Sequence, residues 1–296
     1  MGNGGDEVPG GAIYNSGSLV LNNSTFASNA CRFVSGGAIY EEAGTVSATN
    51  CTFFGNSAGQ EGGAISVSGG DLFLASCTLA SNSATLNGGG VYNFSAVNMA
   101  RLANCLVAGN SAGIGPDANG FFMSDGYNLI GKSDATAGFG ASGDQLGTIA
   151  APLDPRLGPL QNNGGLTWTM ALRSGSPAMD QGKSFGVIAD QRLHSRPVHI
   201  PLLTPATGGD TSDIGAFESD LPVLRFIEVR KLGADLRLSF PTEAGWNYAV
   251  QYRTNVASGT WTTFTNNVPG ITGITMVTNT GVTGLPRRFY RARLLP

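Results

Sequence analysis

The chain has 296 residues, 44 of them glycine, with 41% hydrophobic and only 12% charged positions. That apolar content excludes a disordered chain. Its arrangement in short pieces broken by Gly, Asn and Ser excludes amphipathic helices and points to an all-β architecture. The net charge of −3 hides an asymmetry: residues 221–296 hold nine Lys or Arg against three Asp or Glu, leaving eight basic and seventeen acidic residues in 1–220.

In chain order, Met1-Gly2-Asn3-Gly4-Gly5-Asp6-Glu7 lacks the apolar centre of a secretory signal, and no later stretch is long and apolar enough to span a membrane. Gly2-Asn3-Gly4-Gly5-Asp6 matches one unrepeated copy of a calcium-binding glycine repeat. The chain reads as starting inside a repeat, so an export signal and earlier coils are expected upstream. Gly10-Gly11-Ala12-Ile13-Tyr14 returns as Gly36-Gly37-Ala38-Ile39-Tyr40, Gly62-Gly63-Ala64-Ile65-Ser66 and Gly88-Gly89-Gly90-Val91-Tyr92, each 26 residues after the last. A second block follows each copy, from Ser24-Thr25-Phe26 to Asn29, Cys51-Thr52-Phe53 to Asn56, Cys77-Thr78-Leu79 to Asn82 and Cys105-Leu106-Val107 to Asn110. A third short strand lies between the blocks at 19–21, 46–48, 72–74 and 100–102. Three strands per coil, with neither a leucine skeleton nor a helix, predict a right-handed parallel β-helix over residues 10–113, in which each coil buries its apolar side only against its neighbours.

Column identity assigns direction. Ile13, Ile39, Ile65 and Val91 stay aliphatic and are placed inside, as are Ser24, Cys51, Cys77 and Cys105, and Phe26, Phe53, Leu79 and Val107 two positions on. Tyr14, Tyr40, Ser66 and Tyr92 are placed outside. Asn29, Asn56, Asn82 and Asn110 form a structural ladder of amides bonded along the axis. Cys51, Cys77 and Cys105 are expected as free buried thiols, with a bridge between neighbours as the alternative, and Cys31 falls outside their column. No spacing matches a Cys or His metal site.

The Gly-Gly-Ala-Ile-Tyr and Asn-Ser-Ala blocks resemble repeats of polymorphic outer-membrane proteins and of the pectate-lyase-like superfamily. Gly126-Tyr127-Asn128-Leu129-Ile130-Gly131, Asp154-Pro155-Arg156-Leu157-Gly158-Pro159-Leu160-Gln161-Asn162-Asn163-Gly164-Gly165, Gly175-Ser176-Pro177-Ala178-Met179-Asp180 and Asp213-Ile214-Gly215-Ala216-Phe217-Glu218 resemble the closing region of bacterial choice-of-anchor Q proteins. The resemblance covers roughly residues 10–218. It implies a secreted or surface-exposed β-helix with irregular closing coils at about 114–220, and it carries no catalytic residues to transfer.

After residue 220, alternation at Leu236, Leu238 and Phe240 and at Tyr248, Val250 and Tyr252, with further strands near 223–231, 260–265, 274–279 and 287–294, predicts a small antiparallel β-sandwich over 221–296. This segment resembles immunoglobulin-like or fibronectin-type-III-like modules of bacterial surface proteins. Outward Arg237, Arg253, Arg287, Arg291 and Arg293 either hold an anionic envelope polysaccharide or phosphate, or form an ordinary solvated sheet face.

The only charges from 10 to 113 are Arg32, Glu41, Glu42, Glu61, Asp71 and Arg101, and the acidic ones read as solvated turn residues. Asp180, Asp190, Asp210, Asp213 and Glu218, with Arg192, His194 and His199, either pin irregular loops or bind Ca2+, at a spacing that fits no calcium loop. Tyr14, Tyr40 and Tyr92 are the candidate ligand-binding residues, able to pack on sugar rings or simply to cover the sheet. The reading is a monomeric, non-catalytic extracellular or cell-surface adhesin or scaffold that contacts glycans, with no nucleic-acid signature and no required cofactor. The alternative is a polysaccharide lyase or glycoside hydrolase acting on acidic polysaccharide.

Overall fold

The computed structural model describes residues 8–295 except 95, 96, 98, 201, 202, 221–223, 243–245, 256, 272 and 283. The Gly2–Asp6 glycine motif therefore lies outside the described residues. The chain divides into two compact units, Met1–Leu172 with Ser176–Ser219, and Arg173–Gly175 with Asp220–Pro296. Among the described residues there are strands and no α-helix, and no helix is long and apolar enough to cross a membrane.

The first unit is a parallel β-solenoid with four regular coils of about 26 residues. One sheet stacks Ile13–Asn15, Ile39–Glu41, Ile65–Val67 and Val91–Asn93, with Ile13, Ile39, Ile65 and Val91 in register. A second stacks Ser18–Asn22, Thr45–Thr49, Asp71–Ala75 and Ala100–Ala103. A third stacks Thr25–Ala27, Thr52–Phe54, Thr78–Ala80 and Leu106–Ala108. All three continue in shortened coils through Ala118–Phe121, Met123–Gly126 and Leu129–Ile130. A fourth ladder of two-residue strands, Ala30–Cys31, Ser57–Ala58 and Ser83–Ala84, was not evident as strand in the sequence, because two residues carry no readable periodicity.

The corners explain why the coil is so short. Asn23, Asn50, Ser76 and Asn104 hold φ of 50°, 52°, 48° and 54° between the second and third strands, so a left-handed residue turns the chain at this corner in every coil. The paired glycines serve two different needs. Gly36 has φ 77°, while a Cβ on Gly37 would lie 2.0 Å from the carbonyl oxygen of Gly63 in the next coil.

The interior is filled by the predicted columns. Ile39, Ile65, Val91, Val46, Leu72, Cys51, Cys77, Cys105, Phe53, Leu79 and Val107 are buried, and the Phe26 and Phe53 rings stack 5.0 Å apart. All four cysteines are free and buried. The neighbouring Cys77 thiol and burial push the Cys51 thiol upward, and burial does the same to Cys77, so both stay neutral and inert.

Beside this core runs a chain of buried amides. Asn56 Oδ1 accepts from Asn29 N (3.0 Å) and Nδ2 (2.9 Å), while Asn56 Nδ2 donates to Asn82 Oδ1 (2.9 Å) and Phe26 O (2.9 Å). Asn82 repeats the pattern with Asn110 and Phe53 O. The series ends at Asp117 Oδ1, which accepts from Asn110 N (2.8 Å) and Nδ2 (2.9 Å).

The second unit contains two three-stranded antiparallel sheets, Glu228–Leu232, Asp235–Thr242 and Gly273–Asn279, and Thr262–Pro269, Asn247–Arg253 and Phe289–Leu295. Their inner faces meet where Phe240 packs edge-on against Tyr248 at 5.9 Å, both fully buried.

The amide series yields a stability test. Asn82→Ala strands Asn56 N and Phe53 O without their partners, and its expected cost is about 3 kcal/mol in urea unfolding. Asn22→Ala, at an exposed strand end, is expected to change stability by less than about 0.5 kcal/mol.

Candidate functional site

The first sheet carries the aromatic face. Strand alternation turns Ile13 and Ile39 inward and therefore Tyr14 and Tyr40 outward, and parallel pairing sets Tyr14 opposite Tyr40, Tyr40 opposite Ser66 and Ser66 opposite Tyr92. The Tyr14 and Tyr40 rings stack with centroids 5.7 Å apart and planes 20° from parallel. Tyr14 is 44% exposed, and its hydroxyl donates to the Glu42 carboxylate. At the other end Tyr92 leans on Phe94, which is 71% exposed, with ring centroids 6.4 Å apart. Ser66, between the two aromatic groups, is only 2% exposed. Burial, and then the Glu61 carboxylate, raise the Tyr92 pKa, so its phenol remains neutral.

A groove of about 520 Å³ lies along the fourth ladder, lined by Arg32, Ser57, Gly59, Ser83 and Thr85 with Cys31 at its base. None of these was singled out for binding from sequence. The readable signal was the run of small residues directly after each ladder asparagine.

The corner glutamate departs from expectation. Glu41 is not a solvated turn residue: it occupies an inward corner position paired with Asn15 and Val67, is fully buried, and accepts from Asn15 Nδ2 at 2.5 Å. Burial raises its pKa, Asn15 opposes that, and Asp71 adds to it. Glu42, one residue on, is exposed.

The closing segment covers the outer face of the third sheet. Gln191 accepts from Thr52 Oγ1 (2.6 Å) and donates to Thr25 Oγ1 (2.8 Å), while Ala216 N donates to Thr78 Oγ1 (3.0 Å). Asn50 and Asn104 at the left-handed corners donate to Ala189 O and Asp213 O at 2.9 Å each.

Its charged residues are engaged in holding that cover. Asp190 pairs with Arg192 at 2.8 Å, and the Arg192 guanidinium lies 3.8 Å over the Phe217 ring. Asp190 Oδ1 also accepts from His194 N (3.0 Å), Asp210 from Ser184 Oγ (2.6 Å), and Asp180 from His199 Nδ1 (2.6 Å). Glu218 accepts from Arg196 Nε (2.8 Å), Val198 N (2.7 Å) and Asp213 N (3.0 Å). Asp213 accepts from Asp180 N (2.8 Å) and Ser219 N (2.6 Å). Among the described residues no three His, Cys, Asp or Glu side chains converge to hold a metal ion.

Of the arginines expected to share one basic face, Arg253, Arg291 and Arg293 lie on the same sheet. Arg237 does not: it belongs to the other sheet, 3.5 Å from Glu228. Arg287 precedes the strand Phe289–Leu295 and is exposed.

Asp213 and Glu218 share one buried region with Arg196. Burial raises both carboxyls, to about 6 for Asp213 and about 8 for Glu218, with Asp213 further raising Glu218 and Arg196 opposing. A carboxyl raised on folding favours the folded state while protonated, so stability is present below the ordinary carboxylate range and is lost as pH rises through about 6 to 8. The urea midpoint is expected to fall between pH 5 and pH 8.5, and Asp213→Asn is expected to flatten that slope even though it loses an acceptor. Comparison with protein-family models, curated proteins and solved structures found no significant match.

Proposed function

We propose that this protein is a non-catalytic, extracellular or cell-surface β-solenoid, an adhesin or scaffold, that contacts a glycan through Tyr14, Tyr40 and Tyr92. The observation that carries the reading is the in-register placement of these rings on one outward face, with Tyr14 stacked on Tyr40. Their hydroxyls and ring edges suit a partner that presents C–H faces and hydroxyls together. The resemblance of residues 126–131, 154–165, 175–180 and 213–218 to choice-of-anchor Q proteins supports an extracellular setting and a pectate-lyase-like relationship.

The competing reading is a lyase or hydrolase for acidic polysaccharide. Hydrolysis needs two carboxyl groups flanking an accessible bond. Asp190, Asp213 and Glu218 are fully buried and accept internal hydrogen bonds, which favours a structural role for them. Apart from Arg32, the groove beside Ser57 and Ser83 is lined by hydroxyls and small residues, and none of its lining residues is an Asp or Glu that could form a hydrolytic pair.

The test is retention of the full chain on immobilised neutral polysaccharides, with new reducing ends measured in parallel. Tyr40→Ala is expected to weaken retention about fivefold, the scale of one lost aromatic contact, with its unfolding midpoint checked alongside. Unchanged retention by Tyr40→Ala would remove the aromatic face as the contact. Release of reducing ends would replace the non-catalytic reading with an enzyme.

A further inference from the structure

We infer that a second, separate surface binds an acidic polysaccharide: the outer face of the sheet Asn247–Arg253, Thr262–Pro269 and Phe289–Leu295, through Arg253, Arg291 and Arg293. The strands themselves make this face cationic. From residue 244 to 296 the sequence contains five arginines, no lysine and no Asp or Glu. Buried Leu294 points into the unit, so alternation sends Arg291 and Arg293 outward, opposite Gln251 and Ala249 of the central strand. Arg253 shares that face through its pairing with Phe289.

Two of the three guanidiniums, those of Arg253 and Arg291, are held ready rather than waving in solvent. Arg291 Nε donates to Gln251 Oε1 at 2.8 Å, and Gln251 Nε2 donates in turn to Thr263 Oγ1 at 2.9 Å. Arg253 and Arg291 lie over the Trp261 ring, at 4.4 and 4.3 Å from its centroid. A fork fixed at Nε keeps its Nη groups for an acceptor with two oxygens, and a preordered side chain loses less entropy on binding. Burial, and then repulsion by Arg293 and Arg253, lower the Arg291 pKa. An anion placed among these three charges relieves that repulsion.

The surroundings select among polyanions. Single-stranded nucleic acid is gripped by aromatic faces that stack on bases, but Trp261 is already engaged by two guanidiniums. An anionic bilayer would be entered by exposed apolar side chains, and Val229, Ile274 and Met276 of this unit belong to the other sheet, while Ile271 and Leu285 lie outside the strands of both. What remains is a chain of carboxylates or sulfates lying across a flat sheet.

The experiment titrates the full chain with polygalacturonate and with dextran sulfate, using dextran, poly(dT) and phosphatidylglycerol vesicles as comparisons. The two acidic polysaccharides distinguish carboxylate from sulfate recognition. Arg293→Glu reverses one charge without disturbing the Trp261 stack. It is expected to weaken acidic-polysaccharide binding about tenfold or more, with an unchanged unfolding midpoint. Arg291→Lys keeps the charge but loses the fork, and is expected to weaken binding less than Arg293→Glu. Binding should also decline with added salt. Tyr40→Ala should leave this binding unchanged, which separates this surface from the aromatic face. Wild-type affinity retained by Arg293→Glu, no binding of either acidic polysaccharide by the wild type, or tighter binding of poly(dT) or vesicles would each overturn the inference.

Discussion

The solenoid depends on hydrogen bonds that no coil can complete alone. Asn56 and Asn82 each accept two bonds from the coil before and donate one to the coil after, and the remaining amide hydrogen goes to a strand carbonyl of the preceding coil. Water cannot replace these partners, because Asn56, Asn82 and Asn110 are buried. A shift of register by one residue would turn the aliphatic columns outward and break every amide contact at once. Period and ladder thus enforce each other. The glycine pair permits the spacing, since a Cβ at Gly37 or Gly63 would strike the carbonyl of the next coil. Asp117 ends the series by substituting a carboxyl oxygen for the next amide, and its burial, partly offset by Asn110, raises its pKa.

Stacking satisfies the coil along the axis but leaves the outer faces of its sheets to be dealt with separately. On the third sheet the answer is a cover. Thr25, Thr52 and Thr78 occupy outward positions yet bond to residues far along the chain, at Trp168, Gln191 and Ala216. The irregular chain between 163 and 218 has few backbone partners of its own, so side chains supply them: Asp180, Asp190, Asp210 and Asp213 each accept from backbone N–H groups. This accounts for the concentration of acids in this segment. The same clustering carries an electrostatic cost, visible in the raised carboxyls of Asp213 and Glu218 around Arg196.

These two modes of construction also decide what could be read in advance. The coil was legible because every position recurs at 26 residues, so Ile13, Ile39, Ile65 and Val91 report their direction four times over. The alignment of Tyr14 with Tyr40 follows from the same repetition. Glu41 was misread because only one coil carries an acid there; its neighbours in the column are Asn15, Val67 and Asn93, which together mark an inward corner. Gln191 carries no local signal at all, since its partners on the solenoid, Thr25 and Thr52, are more than a hundred residues away. Likewise alternation showed which arginines face outward, but not that Arg237 would stand in a different sheet from Arg291 and Arg293.

The contrast between the two candidate surfaces follows from this chemistry. Stacked parallel strands place identical positions about 4.8 Å apart, so a charged outward column would repel itself along the whole sheet. Tyr14, Tyr40, Ser66 and Tyr92 avoid that, and the face they form is suited to a neutral partner. The antiparallel sheet of the second unit has no such repeat. Arg253 sits on one strand and Arg291 and Arg293 on its neighbour, and Gln251 and Trp261 orient Arg291 while Trp261 orients Arg253. A cationic face is therefore affordable there and not on the solenoid.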